Sequence, residues 1–243
     1  MPLNDVHAIV LAGGKGTRLA DLYPDLPKSM VGVCGKPFLH WVTAWLVSQG
    51  ITDIIYSTGH LAEPIEAWVA RSDFGPAVRL RSRRESVALG TGGAIINCLP
   101  LCSDPVLALN GDSLVLAPLV SLAALLEDAT VDGAIQGLAV ADAARYGTLE
   151  TDRSGLLSRF LEKRPGRGVI NGGVYLMRRR FFANSPLGTS SMEADLIPTA
   201  LATGARIAIE VTTQAPFLDI GTPESVVLAE TFIARHFEKF QAA

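Results

Sequence analysis

An α/β fold built on a parallel sheet is predicted by three features of the sequence. Apolar runs of strand length alternate with amphipathic helical stretches through the first half of the chain, as crossover connections between parallel strands require. Of the 243 residues, 49% are hydrophobic and 19% charged, enough apolar content for an ample core. Glycine-rich turns follow several of the apolar runs, at the C-terminal strand ends where open α/β sheets bind ligands.

The first run, Ala8-Ile9-Val10-Leu11, is a buried strand that ends in Ala12-Gly13-Gly14-Lys15-Gly16-Thr17-Arg18-Leu19. Its glycines tolerate positive φ and let phosphate oxygens approach the main chain, so the backbone N–H groups can wrap an anion. Lys15 and Arg18 add positive charge to that cradle. Two glycine motifs are excluded by spacing. A P-loop places its lysine after the last glycine, whereas Lys15 lies between Gly14 and Gly16. A dinucleotide fingerprint starting at Gly14 and Gly16 would need glycine where Leu19 stands. A plain strand-to-helix turn is the alternative.

Pro27 fixes the backbone ahead of Lys28-Ser29, which suits a lysine aimed into a site and equally an exposed loop lysine. Gly35-Lys36-Pro37 opens an amphipathic helix, Phe38-Leu39-x-Trp41-Val42-x-x-Trp45-Leu46, whose apolar face suits core or interface. A strand over 53–57, a helix over 63–71 and a strand over 77–81 with alternating basic residues follow. Glu85 then precedes Leu89-Gly90-Thr91-Gly92-Gly93-Ala94, a second glycine-rich turn that leads into a helix. Its peptide groups would read a base or ribose edge, or form only a tight helix start. The apolar strand Pro105-Val106-Leu107-Ala108-Leu109 delivers Asn110-Gly111-Asp112 at its C-terminal edge. A carboxylate near phosphate loops is placed to hold Mg²⁺, which takes one or two carboxylates plus substrate phosphates; a turn with a helix cap is the alternative.

Beyond Pro118 a leucine-rich helix ends near Asp128, and strands over 133–140, 146–150, 156–162 and 169–177 make the second half α+β. Glu162-Lys163 stands at a strand end and Asn171-Gly172-Gly173 at a strand start, two sets that would suit a polyol and its phosphate. A helix starts at Met192, with Ser190 and Ser191 as candidate caps and Glu193 as dipole partner or sugar ligand. An apolar strand brings in Asp219, a second carboxylate, and a helix runs roughly from Glu224 to Phe240. With no repeat, low-complexity segment or linker, residues 1–243 are expected to pack as one domain. Its two halves would be about 1–128 and about 129–243.

Charge and composition exclude several functions. The net charge of −3, from 21 basic and 24 acidic residues with no long basic run, argues against nucleic acid. Cys34, Cys98 and Cys102 form no CxxC pair, and His7, His40, His60 and His236 form no HExxH helix, so a soft-metal site is not expected. The N-terminus lacks the basic and apolar regions of a signal peptide, and the uncharged window 86–103 is broken by glycine and proline. The expectation is a soluble cytoplasmic protein without a membrane partner.

Taken in order, Leu11 to Leu19, Leu26-Pro27-Lys28, Gly35-Lys36-Pro37, Leu89 to Ala94, Gly111-Asp112, Glu162-Lys163, Asn171-Gly172-Gly173 and Asp219-Ile220-Gly221-Thr222-Pro223-Glu224 make the chain resemble the sugar-1-phosphate nucleotidyltransferases over nearly its whole length. Within them it looks most like the short branch that activates D-glycero-α-D-manno-heptose 1-phosphate with GTP. Ser29, Tyr146-Gly147-Thr148-Leu149-Glu150 and 169–176 carry that closer match. The resemblance implies a Rossmann-like GT-A-type fold, with a mixed, mostly parallel central sheet flanked by helices. It also implies the reaction of a nucleoside triphosphate with a sugar 1-phosphate to give nucleotide sugar and pyrophosphate, here GDP-heptose for capsule, S-layer glycan or LPS. A mannose-1-phosphate guanylyltransferase, a uridylyl- or thymidylyltransferase, and a nucleotide-sugar-sensing subunit are the alternatives. By the same resemblance Arg18, Lys28 and Asp112 would be catalytic, and Asp112 and Asp219 would share Mg²⁺. Leu11, Ala12, Gly13, Gly14, Gly16, Thr17, Glu85, Gly90, Thr91 and Asp112 would bind the nucleotide. Gly147, Glu162, Lys163, Asn171, Gly172 and Glu193 would bind the sugar phosphate, and a homo-oligomer is left open.

Overall fold

The apolar strands of the first half take the middle of the sheet, where both faces are covered. In the computed structural model, which describes residues 1–14, 16, 19, 22–161, 165–185 and 188–241, β1 (His7–Leu11) buries Ala8, Ile9 and Val10 completely. A short hairpin of β2 (Gly32–Val33) and β3 (Lys36–Pro37) leads into α1 (Phe38–Ser48). β4 (Asp53–Thr58), α2 (Ala62–Arg71), β5 (Arg79–Arg84), α3 (Gly90–Cys98) and β6 (Val106–Asn110) continue the strand–helix alternation. β7 (Ser113–Val115) and α4 (Leu119–Ala124) follow. Then come β8 (Gly133–Val140), β9 (Thr148–Thr151), β10 (Leu157–Leu161) and β11 (Gly168–Met177). A π-helical turn over Met192–Leu196 runs into α5 (Ile197–Ala202), and β12 (Ile207–Thr212), β13 (Phe217–Asp219) and α6 (Pro223–Arg235) complete the order.

The nine-stranded sheet has the order β10-β9-β11-β6-β1-β4-β5, with β8 on the other edge of β11 and β12 beside β8. β1 lies parallel between β4 and β6, which sets Leu11 level with Ser57 and Asn110. Only β10 and β11 run against the other strands, so the sheet is mixed and mostly parallel. Period-two alternation sends Ala8 and Val10 to one face, with Trp45 of α1 and Ile65 of α2, and Ile9 to the other, with Ile95 of α3 and Ile197 of α5. Phe38, Leu39, Trp45 and Leu46 of α1 are buried, so this helix face is core. Each such side chain contributes about 1.5–3 kcal/mol on burial.

The structure departs from the sequence expectations in four places. The basic strand covers Arg79–Arg84 instead of 77–81 and is a sheet edge, where arginines discourage further pairing. β12 has no counterpart among the expected strands, because Glu210 and Thr212 interrupt the apolar pattern that follows Ile207. The last helix stops at Arg235, and a 3-10 turn covers Phe237–Phe240. Asn171-Gly172-Gly173 lies in the middle of β11, not at its start, at a register shift against β8 between Asn171 and Tyr175. Gly173 there has φ +69°, a left-handed conformation that lets the strand bulge without a Cβ clash. The bulge divides β11 between two partners on one edge, with Ile170 opposite Thr148 of β9 and 174–177 on β6. Among the described residues no helix is long and apolar enough to cross a membrane.

Candidate active site

Because β1 and β6 end level with each other, their following turns meet at one point on the sheet edge. Gly111 N–H donates to Leu11 O at 2.9 Å, and a Cβ at Gly111 would stand only 2.8 Å from that carbonyl. On the other side of β1, a Cβ at Gly13 would stand 2.8 Å from Glu85 Oε1. These close approaches fix the floor of a cavity of about 540 Å³. The first loop lines it with Leu11, Ala12, Gly13, Gly14 and Gly16, and the second turn with Glu85, Gly90 and Thr91. Lys28, Ser29, Asn110, Asp112 and Gly221 also line it. Lys15, Thr17 and Arg18, expected beside them, lie outside the described residues.

Asp112 and Asp219, far apart in sequence, are brought together by a small antiparallel ladder. β7 and β13 pair Ser113 with Asp219, and Ile220 N–H donates to Asp112 O at 3.0 Å. Lys28 starts a 3-10 turn, Lys28–Met30, entered through Pro27 at φ −62°. Its Nζ stands 2.7 Å from Asp112 Oδ2 and 3.4 Å from Asp219 Oδ1. The side chains of Lys28, Asp112 and Asp219 are 13%, 41% and 19% exposed, so the ammonium is largely withdrawn from water while Asp112 opens to the cavity. The packing is tight around this triad. A Cβ at Gly16 would stand 3.1 Å from Lys28 Cβ, and one at Gly221 would stand 2.8 Å from Asp219 Oδ1 and 3.3 Å from Lys28 Nζ.

Two carboxylates around one ammonium give the Lys28–Asp112–Asp219 triad a net negative charge. Hard oxygen donors of this kind fit Mg²⁺, which takes one or two carboxylates and fills its remaining positions with water and phosphate oxygens. Among the described residues no group of three or more His, Cys, Asp or Glu converges. A divalent ion between Asp112 and Asp219 would therefore draw further ligands from substrate or water.

In the second glycine turn, two glycines take the tight helix start that the sequence left open. Gly92 and Gly93 donate their N–H groups to Ser190 O at 2.8 and 3.2 Å, and a Cβ at Gly93 would overlap Gly188 O. These two glycines pack the helix start against 188–190, so their N–H groups are committed within the fold. Glu85 holds the same turn. Its Oε1 accepts from Ser57 Oγ at 3.1 Å and its Oε2 from Leu89 N–H at 2.9 Å. Gly90, Thr91 and Ala94 are the described residues through which α3 lines the cavity.

In the second half, the residues expected around a sugar are joined by a side-chain network. Asn171 N–H donates to Gly147 O at 2.9 Å, tying β11 to the loop before β9. Asn171 Nδ2 donates to Tyr175 Oη at 2.5 Å, and Tyr175 Oη donates to Glu193 Oε1 at 2.8 Å. Glu193 Oε2 accepts from Thr91 Oγ1 and Ser191 Oγ, each at 2.9 Å. Ser191 is also the helix cap, accepting from the Glu193 and Ala194 N–H groups, whereas Ser190 is not. Glu193 thus connects the second glycine turn to Asn171, and burial, reinforced by the Glu193 charge, raises the Tyr175 phenol well above its usual range. Gly172 lies at the bulge, where a Cβ would stand 2.8 Å from Gln136 O. Gly147, Asn171, Gly172 and Glu193 are not among the cavity-lining residues described. Glu162 and Lys163 lie outside the described residues. The expectations passed over Tyr175 and Gly221. A lone tyrosine in an apolar strand was the available signal for Tyr175, because a buried phenol needs a partner.

Comparison with known proteins agrees with this architecture. The sequence model of the family described as Nucleotidyl transferase matches residues 7–236. A D-glycero-alpha-D-manno-heptose 1-phosphate guanylyltransferase of Campylobacter jejuni is 33% identical over 90% of this chain and 96% of its own. A mannose-1-phosphate guanylyltransferase of Mycobacterium tuberculosis is 32% identical over 97% of this chain, which spans 66% of that protein's length. The crystal structure of HddC from Yersinia pseudotuberculosis complexed with GMP-PN superposes with a TM-score of 0.82 at 32% identity, covering 93% of this chain and 98% of that one. With the two glycine turns, the Lys28–Asp112–Asp219 triad and a family match spanning nearly its whole length, the chain belongs to the nucleotidyl transferase family.

Proposed function

We propose that this protein transfers the guanylyl group of GTP to D-glycero-α-D-manno-heptose 1-phosphate, releasing pyrophosphate and GDP-heptose. The observation that carries the reading is the placement of Lys28 between Asp112 and Asp219 on the wall of a glycine-lined cavity. The guanylyltransferase names and high coverage of its relatives support the choice of base and sugar. Those relatives and the intact triad disfavour a sensing subunit without catalysis.

An oxygen of the sugar phosphate is already an anion, so the reaction needs no general base. Catalysis rests on alignment and charge neutralisation. That oxygen bonds to the α-phosphorus as the bond from the α-phosphorus to the bridging oxygen of the β-phosphate breaks, and pyrophosphate leaves with the electron pair. The backbone of Gly13, Gly14 and Gly16 wraps the triphosphate, with Thr17 beside it and Arg18 on the departing pyrophosphate. Lys28 stabilises the charge that develops on the α-phosphate oxygens, in a partly desolvated position where such a donor acts most strongly. Asp112 and Asp219 would hold Mg²⁺, which when bound would neutralise phosphate charge. Leu11, Ala12, Glu85, Gly90 and Thr91 receive base and ribose. Lys163 holds the sugar phosphate, and Gly147, Glu162, Asn171 and Gly172 receive the sugar, with Glu193 orienting Asn171 through Tyr175. Both halves of 1–243 act as one domain in the cytoplasm, where the product supplies a surface polysaccharide.

Pyrophosphate release measured across four nucleoside triphosphates and several sugar 1-phosphates tests the proposal. GTP with the heptose 1-phosphate should give the highest kcat/KM, and no release with that pair would refute it. The Mycobacterium relative favours mannose 1-phosphate as the second acceptor to try.

A further inference from the structure

We infer that the Ser29 hydroxyl is a binding group for the nucleotide, held without a partner until the nucleoside triphosphate arrives. Ser29 is the middle residue of the Lys28–Met30 turn and is 4% exposed. Its Oγ is buried and has no hydrogen-bond partner among the described residues. A serine hydroxyl in a turn ordinarily bonds a nearby backbone group, and the great majority of buried polar side-chain atoms are paired. An orphaned hydroxyl destabilises the free protein, so its persistence beside Lys28 points to a state in which it is satisfied.

The turn is held by its own backbone bonds, Met30 N–H to Pro27 O at 2.8 Å and Val31 N–H to Lys28 O at 3.2 Å. Ser29 lines the same cavity as Gly13, Gly14, Gly90 and Lys28. The described sugar-side residues Gly147, Asn171, Gly172 and Glu193 are not among those lining it, whereas the glycine loop is, so the partner assigned to Ser29 is an oxygen of the nucleotide. The inference rests on the proposed nucleotide site and adds a specific contact to it.

The test compares wild type, Ser29→Ala and Ser29→Cys for binding of GTP with Mg²⁺, for the KM of each substrate, and for the Tm of the free proteins. Alanine removes the hydroxyl, and cysteine keeps a comparable volume with a much weaker donor. Both variants should bind GTP roughly five- to tenfold more weakly, with a matching rise in the KM for GTP and an unchanged KM for the sugar 1-phosphate. The Tm of free Ser29→Ala should equal or exceed that of wild type, because an unpaired buried hydroxyl has been removed. GTP binding within twofold of wild type in Ser29→Ala would overturn the inference. So would weaker binding in alanine alone with cysteine unaffected, or a Tm several degrees lower in both variants, since either marks a packing role. If wild type itself binds no GTP but binds another nucleotide, the base assignment fails while the Ser29 inference is tested with that nucleotide.

Discussion

Replacing Lys28 with methionine separates the two electrostatic tasks assigned to the triad. Methionine keeps most of the chain length and removes the charge, leaving Asp112 and Asp219 with no cation between them. At separations of 2.7 and 3.4 Å the gross attractions are about 6 and about 5 kcal/mol at an effective dielectric of 20. Solvent at Asp112, which is 41% exposed, and the desolvation of Lys28 offset most of that sum. The catalytic loss is set by removal of one preorganised donor, about 10²- to 10³-fold in turnover, or roughly 2.7–4 kcal/mol. Pyrophosphate release at saturating substrates should show that loss. Titration of the free variant should show tighter Mg²⁺ binding than wild type, because the ammonium no longer competes for the carboxylates. Lys28→Arg should not rescue turnover, since a planar guanidinium on a longer side chain does not reproduce the point charge that the ammonium places 2.7 and 3.4 Å from Asp112 and Asp219. Turnover within threefold of wild type in Lys28→Met would refute the role given to this residue.

Other substitutions probe the remaining parts. Gly221→Ala places a methyl 2.8 Å from Asp219 Oδ1 and should cut turnover about tenfold or more with the fold intact by circular dichroism. Wild-type activity would mean that this carboxylate is free to move. Gly93→Ala forces the α3 start away from Gly188 and should destabilise the protein by about 1–3 kcal/mol in urea; a neutral effect would show that the 188–190 segment yields. Tyr175→Phe strands Asn171 Nδ2 and Glu193 Oε1, so stability should fall by about 1–3 kcal/mol and the KM for sugar 1-phosphate should rise more than that for GTP. Equal changes in both KM values would argue against a link to the sugar side. Burial pushes the Cys98 thiol up to about 11. Its neutral form therefore favours the fold fully below pH 9, and that contribution fades as pH rises toward 11. Cys98→Ser should flatten the loss of Tm across that window, and an unchanged slope would place the alkaline sensitivity elsewhere.

The fold and much of the cavity were legible because local signals agreed with one another. The apolar run Ala8-Ile9-Val10 pointed to a central strand, and of the glycines after it Gly13 and Gly16 serve close approach. The position of Asp112 after an apolar strand is what brings it to the cavity. The union of Asp112 with Asp219 was implied by family resemblance alone, since the β7–β13 ladder that creates it is two three-residue strands with no distinctive pattern. Gly92 and Gly93 were ambiguous because a glycine required for packing looks the same in sequence as one required for a ligand. β12 was hidden for a similar reason. Its pairing with β8 decides its structure, and pairing over such a distance leaves no local trace. The Tyr175–Glu193 link joins two side chains whose proximity depends on where the 188–196 segment folds back.

The central claim is that the cavity at the ends of β1 and β6 holds the triphosphate between the glycine loop and the Lys28–Asp112–Asp219 triad. A crystal structure with a non-hydrolysable GTP analogue and Mn²⁺ in place of Mg²⁺ tests it most directly. The expected result is an anomalous Mn²⁺ peak between Asp112 and Asp219, with the α-phosphate beside Lys28 and the guanine near Gly90 and Thr91. A triphosphate bound elsewhere, or a Mn²⁺ peak away from both carboxylates, would contradict it.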